Sequence, residues 1–171
     1  MGSAPILGRK ELVRTVSAER ERGSRIVLAN GCFDLLHVGH VRYLAGAKAL
    51  GGVLVVAINS DRTAHLLKGN GRPYVREHER AELVAALRDV DLVTIFDERT
   101  VAEVIRAIRP DFHAKGTDYT VESVPERDVV RESGGEVVIV GDPKDHSSTD
   151  MAKNVEGPDK TGPGDRGLGE A

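Results

Sequence analysis

Hydrophobic and polar positions alternate along this chain in two distinct rhythms. Short, nearly continuous apolar runs occur at 25–30 (RIVLAN), 53–58 (VLVVAI), 92–96 (LVTIF), 111–114 (DFHA) and 136–140 (EVVIV). Runs this short and apolar suit strands buried on both faces of a parallel sheet. Between them lie amphipathic stretches. Leu12, Val13 and Val16 sit among charges from Leu7 to Arg22, and Gly23 ends that helix. Val41, Leu44 and Ala45 recur from His40 until Gly51-Gly52, and Leu83, Val84 and Leu87 lie on a helix over Glu77 to Arg88. Val101, Val104, Ile105 and Ile108 fall at i, i+3, i+4 and i+7, with Thr100 placed to cap and Pro110 to stop. Asn59-Ser60-Asp61 supplies cap chemistry for a short helix, and a last one runs near Glu126 to Glu132.

Strands separated by helices at this spacing predict βαβ units: an α/β fold of Rossmann-like type, a doubly wound parallel sheet with helices on both faces. The expected organisation is an N-terminal helix over 1–24 packed on the domain, the domain itself over 25–154, and a tail over 155–171. That tail has no apolar period and is rich in glycine and proline, so it reads as disordered.

Composition narrows the function. At 171 residues and a net charge of −3, the chain lacks the basic excess of a non-specific nucleic-acid binder. No stretch approaches the roughly 20 apolar residues of a membrane span. The start Met1-Gly2-Ser3-Ala4-Pro5 lacks the layout of a secretory signal, so a cytoplasmic protein is expected. A single cysteine, Cys32, excludes an internal disulfide and a cysteine-based structural zinc site.

One segment carries chemistry. After the first strand comes Gly31-Cys32-Phe33-Asp34-Leu35-Leu36-His37-Val38-Gly39-His40, where an open parallel sheet binds its ligand. Neither a dinucleotide fingerprint nor a Walker loop is present. Two imidazoles three residues apart at a helix start can face one phosphate, beside amides that carry partial positive charge. Gly39 leaves the surface between the rings bare, and Gly31 permits approach from the strand end. A zinc hydrolase is the competing reading of paired histidines, but no third ligand stands at a recognisable spacing and H-E-x-x-H is absent. Cys32 reads as a small loop residue rather than a nucleophile, since direct displacement needs none.

These residues resemble the H-x-G-H signature of the nucleotidyltransferase superfamily, and within it most closely the adenylyltransferase domains of the bifunctional heptose kinase/heptose 1-phosphate adenylyltransferases. The resemblance runs from about Leu7 to Asn154 and includes Leu67-Lys68-Gly69, Arg72-Pro73, Lys115-Gly116-Thr117-Asp118-Tyr119 and Ser147-Ser148-Thr149. It implies that His37 and His40 stabilise the transition state at the α-phosphate and that Lys68 bridges phosphates and acceptor. Arg80 would support the site, and Gly31, Cys32, Phe33, Asp34, Gly39, Gly116 and Asp118 would line the nucleotide. Ser147, Ser148 and Thr149 would hold the β- and γ-phosphates, a role compatible with capping the helix that follows. It further implies ATP with Mg²⁺ held by the triphosphate rather than by protein ligands, and a phosphorylated acceptor such as a sugar 1-phosphate; a homodimer is usual among its members. The kinase half of those proteins has no counterpart here, so the acceptor phosphate is expected to be made elsewhere.

From the residues alone Lys68 is equally a solvated loop lysine, and Arg80, among Glu77, Glu79 and Glu82, equally a surface ion pair. His65, His78 and His113 read as ordinary surface or core residues. Two departures from the family pattern are Asp142 and Lys144 where an arginine precedes the Ser/Thr run of related cytidylyltransferases, and Asp150 after that run. Extra carboxylates beside a triphosphate repel it unless a cation intervenes. The alternatives are therefore a CTP-dependent enzyme acting on an alcohol phosphate such as glycerol 3-phosphate, and a nucleotide-binding module without turnover.

Overall fold

The structure is a computed structural model that describes residues 2–142. The elements run α1 (Arg9–Glu21), β1 (Ile26–Gly31), α2 (Val38–Lys48), β2 (Val53–Asn59), α3 (Asp61–Lys68), α4 (Glu77–Ala85), β3 (Leu92–Phe96), α5 (Ala102–Ile108), β4 (Phe112–Lys115), a 3₁₀ turn (Val121–Ser123), α6 (Arg127–Glu132) and β5 (Glu136–Ile139). The five strands form one sheet in the order β3-β2-β1-β4-β5, and every pairing is parallel.

Alternation along the strands divides the core. Val27, Ala29, Leu54, Val56 and Ile58 face α2 and α4, meeting Leu44, Ala47, Ala81 and Val84. Ile26, Leu28, Val55 and Ala57 face α1, α5 and α6, meeting Leu12, Val16, Val104, Ile105 and Val130. Both faces of the sheet are thus covered, which is why its strands read as unbroken apolar runs. The N-terminal helix belongs to this core: Leu12 and Val16 are fully buried, and each such side chain contributes about 1.5–3 kcal/mol.

Element boundaries shift where a polar group or an edge takes over from hydrophobic period. The first helix begins at Arg9 rather than Leu7 because residues 5–7 extend the sheet edge: Leu7 N donates to Val93 O and Val93 N to Pro5 O, at 2.8 and 3.0 Å. The fourth strand begins at Phe112 because the Asp111 carboxylate is taken up by the Ile26 amide (2.7 Å). Helix α4 ends at Ala85, short of Arg88. Ser60 caps α3 as expected, accepting from Thr63 N.

The chain order reverses between β1 and β4. The connection after β1 turns to one face of the sheet and the one after β4 to the other, opening a crevice at their carboxyl ends, where ligands of such sheets bind. Beyond β5 the chain crosses back over α2. Two glycines permit that approach: a Cβ on Gly46 would lie 3.1 Å from Gly141 N, and Gly141 itself has φ +91° against the Tyr43 backbone. Ser147, Ser148 and Thr149, with His146, Lys144, Asp150 and the expected tail at 155–171, lie outside the described residues.

Candidate active site

The expected histidine pair is brought together at the mouth of this crevice. His37 is extended (φ −143°, ψ 170°) and is the N-cap of α2, so the helix starts at Val38, two residues before the sequence pattern suggests. His37 O receives the amide of His40 at 2.9 Å, closing the first turn and bringing one side chain over the other. The imidazoles stack with centroids 3.9 Å apart and planes 29° from parallel. The Phe33 ring backs His40 at 5.2 Å and is itself only 2% exposed. His37 makes no side-chain cap bond to the helix amides, so the amino end of α2 faces the crevice with its partial positive charge available to an anion.

Around this pair the structure sorts the expected ligand residues into two groups. Lys68, the last residue of α3, is exposed, and its charge reaches the Cys32 thiol. Cys32 is half-buried, and burial pushes its thiol pKa up despite the surrounding cations, which leaves it a thiol rather than a nucleophile. Gly39 lies in the first turn of α2. Gly116 and Asp118 follow β4, and a Cβ on Gly116 would come 2.9 Å from Asp118 Oδ1, so the glycine makes room for that carboxylate.

The side chains of the second group are engaged in contacts within the protein. Arg80 is fully inaccessible: Nε donates to Val75 O (2.8 Å), Nη1 to Cys32 O (2.5 Å) and Asn59 O (2.8 Å), and Nη2 to Asp61 Oδ1 (2.7 Å). Rather than the surface ion pair its glutamate neighbours suggest, it is a buried tie between the ends of β1 and β2 and the amino end of α4, which is a supporting position. Asp34, 2% exposed, accepts from Tyr74 N (2.7 Å), Val75 N (3.1 Å) and the Arg72 guanidinium, clasping the 70s loop to the loop after β1. The Phe33 side chain (φ +49°) fills the core, and the space beside Gly31 is taken by that ring, 3.1 Å from where a Cβ would stand. Gly31 therefore admits Phe33, not a phosphate, and contacts from either residue to a ligand would have to come from backbone.

Sequence reasoning missed a polar cluster at the ends of β1 and β4: Asn30, His113, Lys115 and Glu126. His113 Nε2 lies 3.0 Å and Lys115 Nζ 3.3 Å from Asn30 Oδ1, while Lys115 Nζ is 3.8 Å from Glu126 Oε2 and 4.6 Å over the Tyr119 ring. Burial lowers the Lys115 pKa, opposed by the charge of Glu126. Burial, with the Lys115 charge, lowers that of His113 to about 3. The alternation of β4 was the available signal, since it carries His113 and Lys115 to the same face.

That shift makes a prediction about stability. Unfolded His113 titrates near 6.5 and folded His113 near 3, so between those values the unfolded chain binds the extra proton. Stability contributed by the neutral ring is complete above pH 6.5 and is lost as pH falls toward 3, at up to about 1.4 kcal/mol per pH unit. Urea unfolding at pH 7, 6, 5 and 4 should show this slope, and His113→Gln, which keeps a donor without the titration, should flatten it by about one proton. Equal slopes in the two proteins would refute the assignment.

Among the described residues, no helix is long and apolar enough to cross a membrane, and no group of three His, Cys, Asp or Glu could hold a metal ion. Asp142, whose carboxylate could oppose a triphosphate, is paired with Arg42 of α2 at 3.2 Å.

Known proteins share this arrangement. The family model described as cytidylyltransferase-like matches residues 28–155, from within β1 past the crossing over α2. A protein named bifunctional protein HldE from Koribacter versatilis is 51% identical over 140 residues, covering 82% of this chain and 29% of its own length. Its namesake from Pelobacter propionicus is 47% identical over 150 residues, covering 88% and 31%. The chain therefore spans about three-tenths of the length of these curated relatives. A solved structure of a lipopolysaccharide core biosynthesis protein from Thermoplasma volcanium is similar with a TM-score of 0.62 at 30% identity, covering 71% of this chain and all of the other. With the paired histidines at the head of α2 and a matched segment spanning the sheet from β1 onward, the chain belongs to the cytidylyltransferase-like family of nucleotidyltransferases.

Proposed function

We propose that the chain transfers a nucleoside monophosphate, AMP from ATP, to the phosphate of a sugar 1-phosphate and releases pyrophosphate, with heptose 1-phosphate the acceptor implied by its resemblance to the heptose adenylyltransferase domains and by its HldE-named relatives. The observation that carries the reading is the stacked His37–His40 pair at the amino end of α2, in the crevice between β1 and β4. An oxygen of the acceptor phosphate attacks the α-phosphorus, the bond to the β-phosphate oxygen breaks, and pyrophosphate leaves. As the new bond forms, charge rises on the non-bridging α-oxygens, where imidazole donors and helix amides are already aimed.

Acceptor oxygen is anionic before the reaction, so no strong general base is needed. In keeping with this, Asp34 of the loop after β1 and Asp61 at the start of α3 are engaged by Arg72 and Arg80. Among the described residues no group of three His, Cys, Asp or Glu could hold a metal ion, so Mg²⁺ would arrive on the nucleotide, and its part is to shield the triphosphate charge. Lys68, at the crevice mouth, would meet the acceptor phosphate. The setting is cytoplasmic.

The family match favours a second reading, CTP with an alcohol phosphate. Pyrophosphate release should be measured for ATP, CTP, GTP and UTP, each against sugar 1-phosphates and glycerol 3-phosphate. ATP with a sugar 1-phosphate is the expected productive pair. CTP with glycerol 3-phosphate would establish the second reading, and tight nucleotide binding without release for any pair would make the chain a binding module.

A further inference from the structure

Asn30 closes the floor of the crevice. In β1, Ile26 and Leu28 face α1, α5 and α6, so Asn30, two residues on, lies on that face; Leu28 is level with His113 in β4, and Asn30 is thus level with Lys115. Both neighbours bind the same atom, Oδ1, at 3.0 and 3.3 Å. An ammonium has donors only, so the atom facing Lys115 must be the amide oxygen; the orientation of this carboxamide follows from chemistry and not from fit. His113 must then carry its proton on Nε2, which a neutral ring allows, and the burial that keeps it neutral supports this.

The other end of the carboxamide follows. Lys115 and Glu126 have side chains only 8% and 7% exposed, so the clamp on Oδ1 is sealed. Nδ2 of Asn30 has no acceptor among the described residues, and Asn30 is half-buried, with its amide not among the sealed, unsatisfied atoms. Its NH₂ is therefore the open end of the carboxamide, at the carboxyl ends of β1 and β4 where the crevice lies. A donor held this way is preorganised, and an acceptor oxygen arriving there need not order it.

We propose that Asn30 is a nucleotide-contacting residue of this site, its NH₂ donating to an oxygen of the bound nucleotide, either a ribose hydroxyl or an α-phosphate oxygen, with His113 and Lys115 as positioning residues that hold the donor outward. The inference rests on the nucleotidyl-transfer reading above and adds to it a ligand contact and the two residues that aim it.

Titration calorimetry of the full chain with Mg·ATP and Mg·CTP tests it without turnover. Asn30→Ala should weaken binding of the preferred nucleotide about five- to tenfold, the range for one neutral hydrogen bond. Lys115→Met should weaken it comparably, and the double variant no more than either single, because Lys115 acts only through Asn30. A purely structural lysine would add its own loss in the double variant. Asn30→Asp keeps an acceptor for both neighbours while deleting the NH₂ and adding a charge that repels the triphosphate, so if the alanine variant fails to fold it should bind more weakly still, and binding within twofold of the unaltered chain overturns the inference.

Deoxy analogues separate the two oxygens. If the acceptor is a ribose hydroxyl, the 2′-deoxy or 3′-deoxy nucleotide binds the unaltered protein as weakly as Asn30→Ala and loses nothing more in that variant. If it is an α-phosphate oxygen, deoxy analogues lose equally in both proteins. Binding to Asn30→Ala within twofold of the unaltered chain overturns the inference alone. Failure of the unaltered chain to bind either nucleotide overturns the transfer reading with it.

Discussion

Replacing His40 with alanine is expected to lower kcat for pyrophosphate release by about 10²–10³ while leaving nucleotide affinity within a few-fold. One preorganised donor aimed at developing charge is worth that much when it acts mainly in the transition state. The geometry supports such a division. His40 is stacked on His37 at 3.9 Å and backed by Phe33, so its ring is held before substrate arrives and need not be ordered during the reaction. Its loss should therefore depress kcat and kcat/KM together, the signature of an interaction made only in the transition state. Steady-state kinetics on the productive substrate pair, with far-ultraviolet circular dichroism as the control for folding, measure this. A folded variant that keeps more than a third of the activity removes His40 from catalysis. A variant with normal kcat and a raised KM would instead make the pair a ground-state binding site.

The fold was legible because its signal is local. Five apolar runs too short for helices, separated by amphipathic stretches, are enough for a parallel sheet, and the strand at 92–96 matches β3 residue for residue. The histidine pair was legible for the same reason: both residues lie within one turn of the helix that follows a strand, so spacing alone brings them together. What spacing does not carry is partnership across the chain. Asn30 meets His113 and Lys115 from 83 and 85 residues away. Asp34 takes Arg72, Tyr74 and Val75 from about forty residues on. Asn30 looks like an ordinary strand residue until the topology places β4 beside β1, and the partners of Asp34 emerge only when the loop before α4 closes on it.

Arg80 shows how the same limit misdirects a functional reading. An arginine near a phosphate site looks like a ligand, and one among glutamates looks like a surface pair; both inferences use neighbours in sequence. Its actual partners are the carbonyls of Cys32, Asn59 and Val75 and the carboxylate of Asp61. The carbonyls of Cys32 and Asn59 stand where β1 and β2 end and that of Val75 just before α4, so a buried five-donor fork resolves several backbone acceptors with one side chain.

Arg80→Ala should therefore cost about 3–5 kcal/mol of stability, because it strands the carbonyls of Cys32, Asn59 and Val75 at about 1–3 kcal/mol for each that stays buried, while the partly exposed Asp61 carboxylate returns to water. Domains of this size are stable by only about 5–15 kcal/mol, so the loss is a large share of the whole. It should appear as a lower urea midpoint at unchanged m-value. Arg80→Lys should recover little, because a single ammonium cannot span three carbonyls and a carboxylate that lie around a planar guanidinium. Activity measured at low temperature, where the variant remains folded, should fall through kcat, since Cys32 O and with it the loop leading to His37 lose their anchor. A nucleotide ligand would behave oppositely, raising KM with the midpoint unmoved. An alanine variant as stable as the parent, with weakened nucleotide binding, would return Arg80 to the crevice and require a different anchor for the loop.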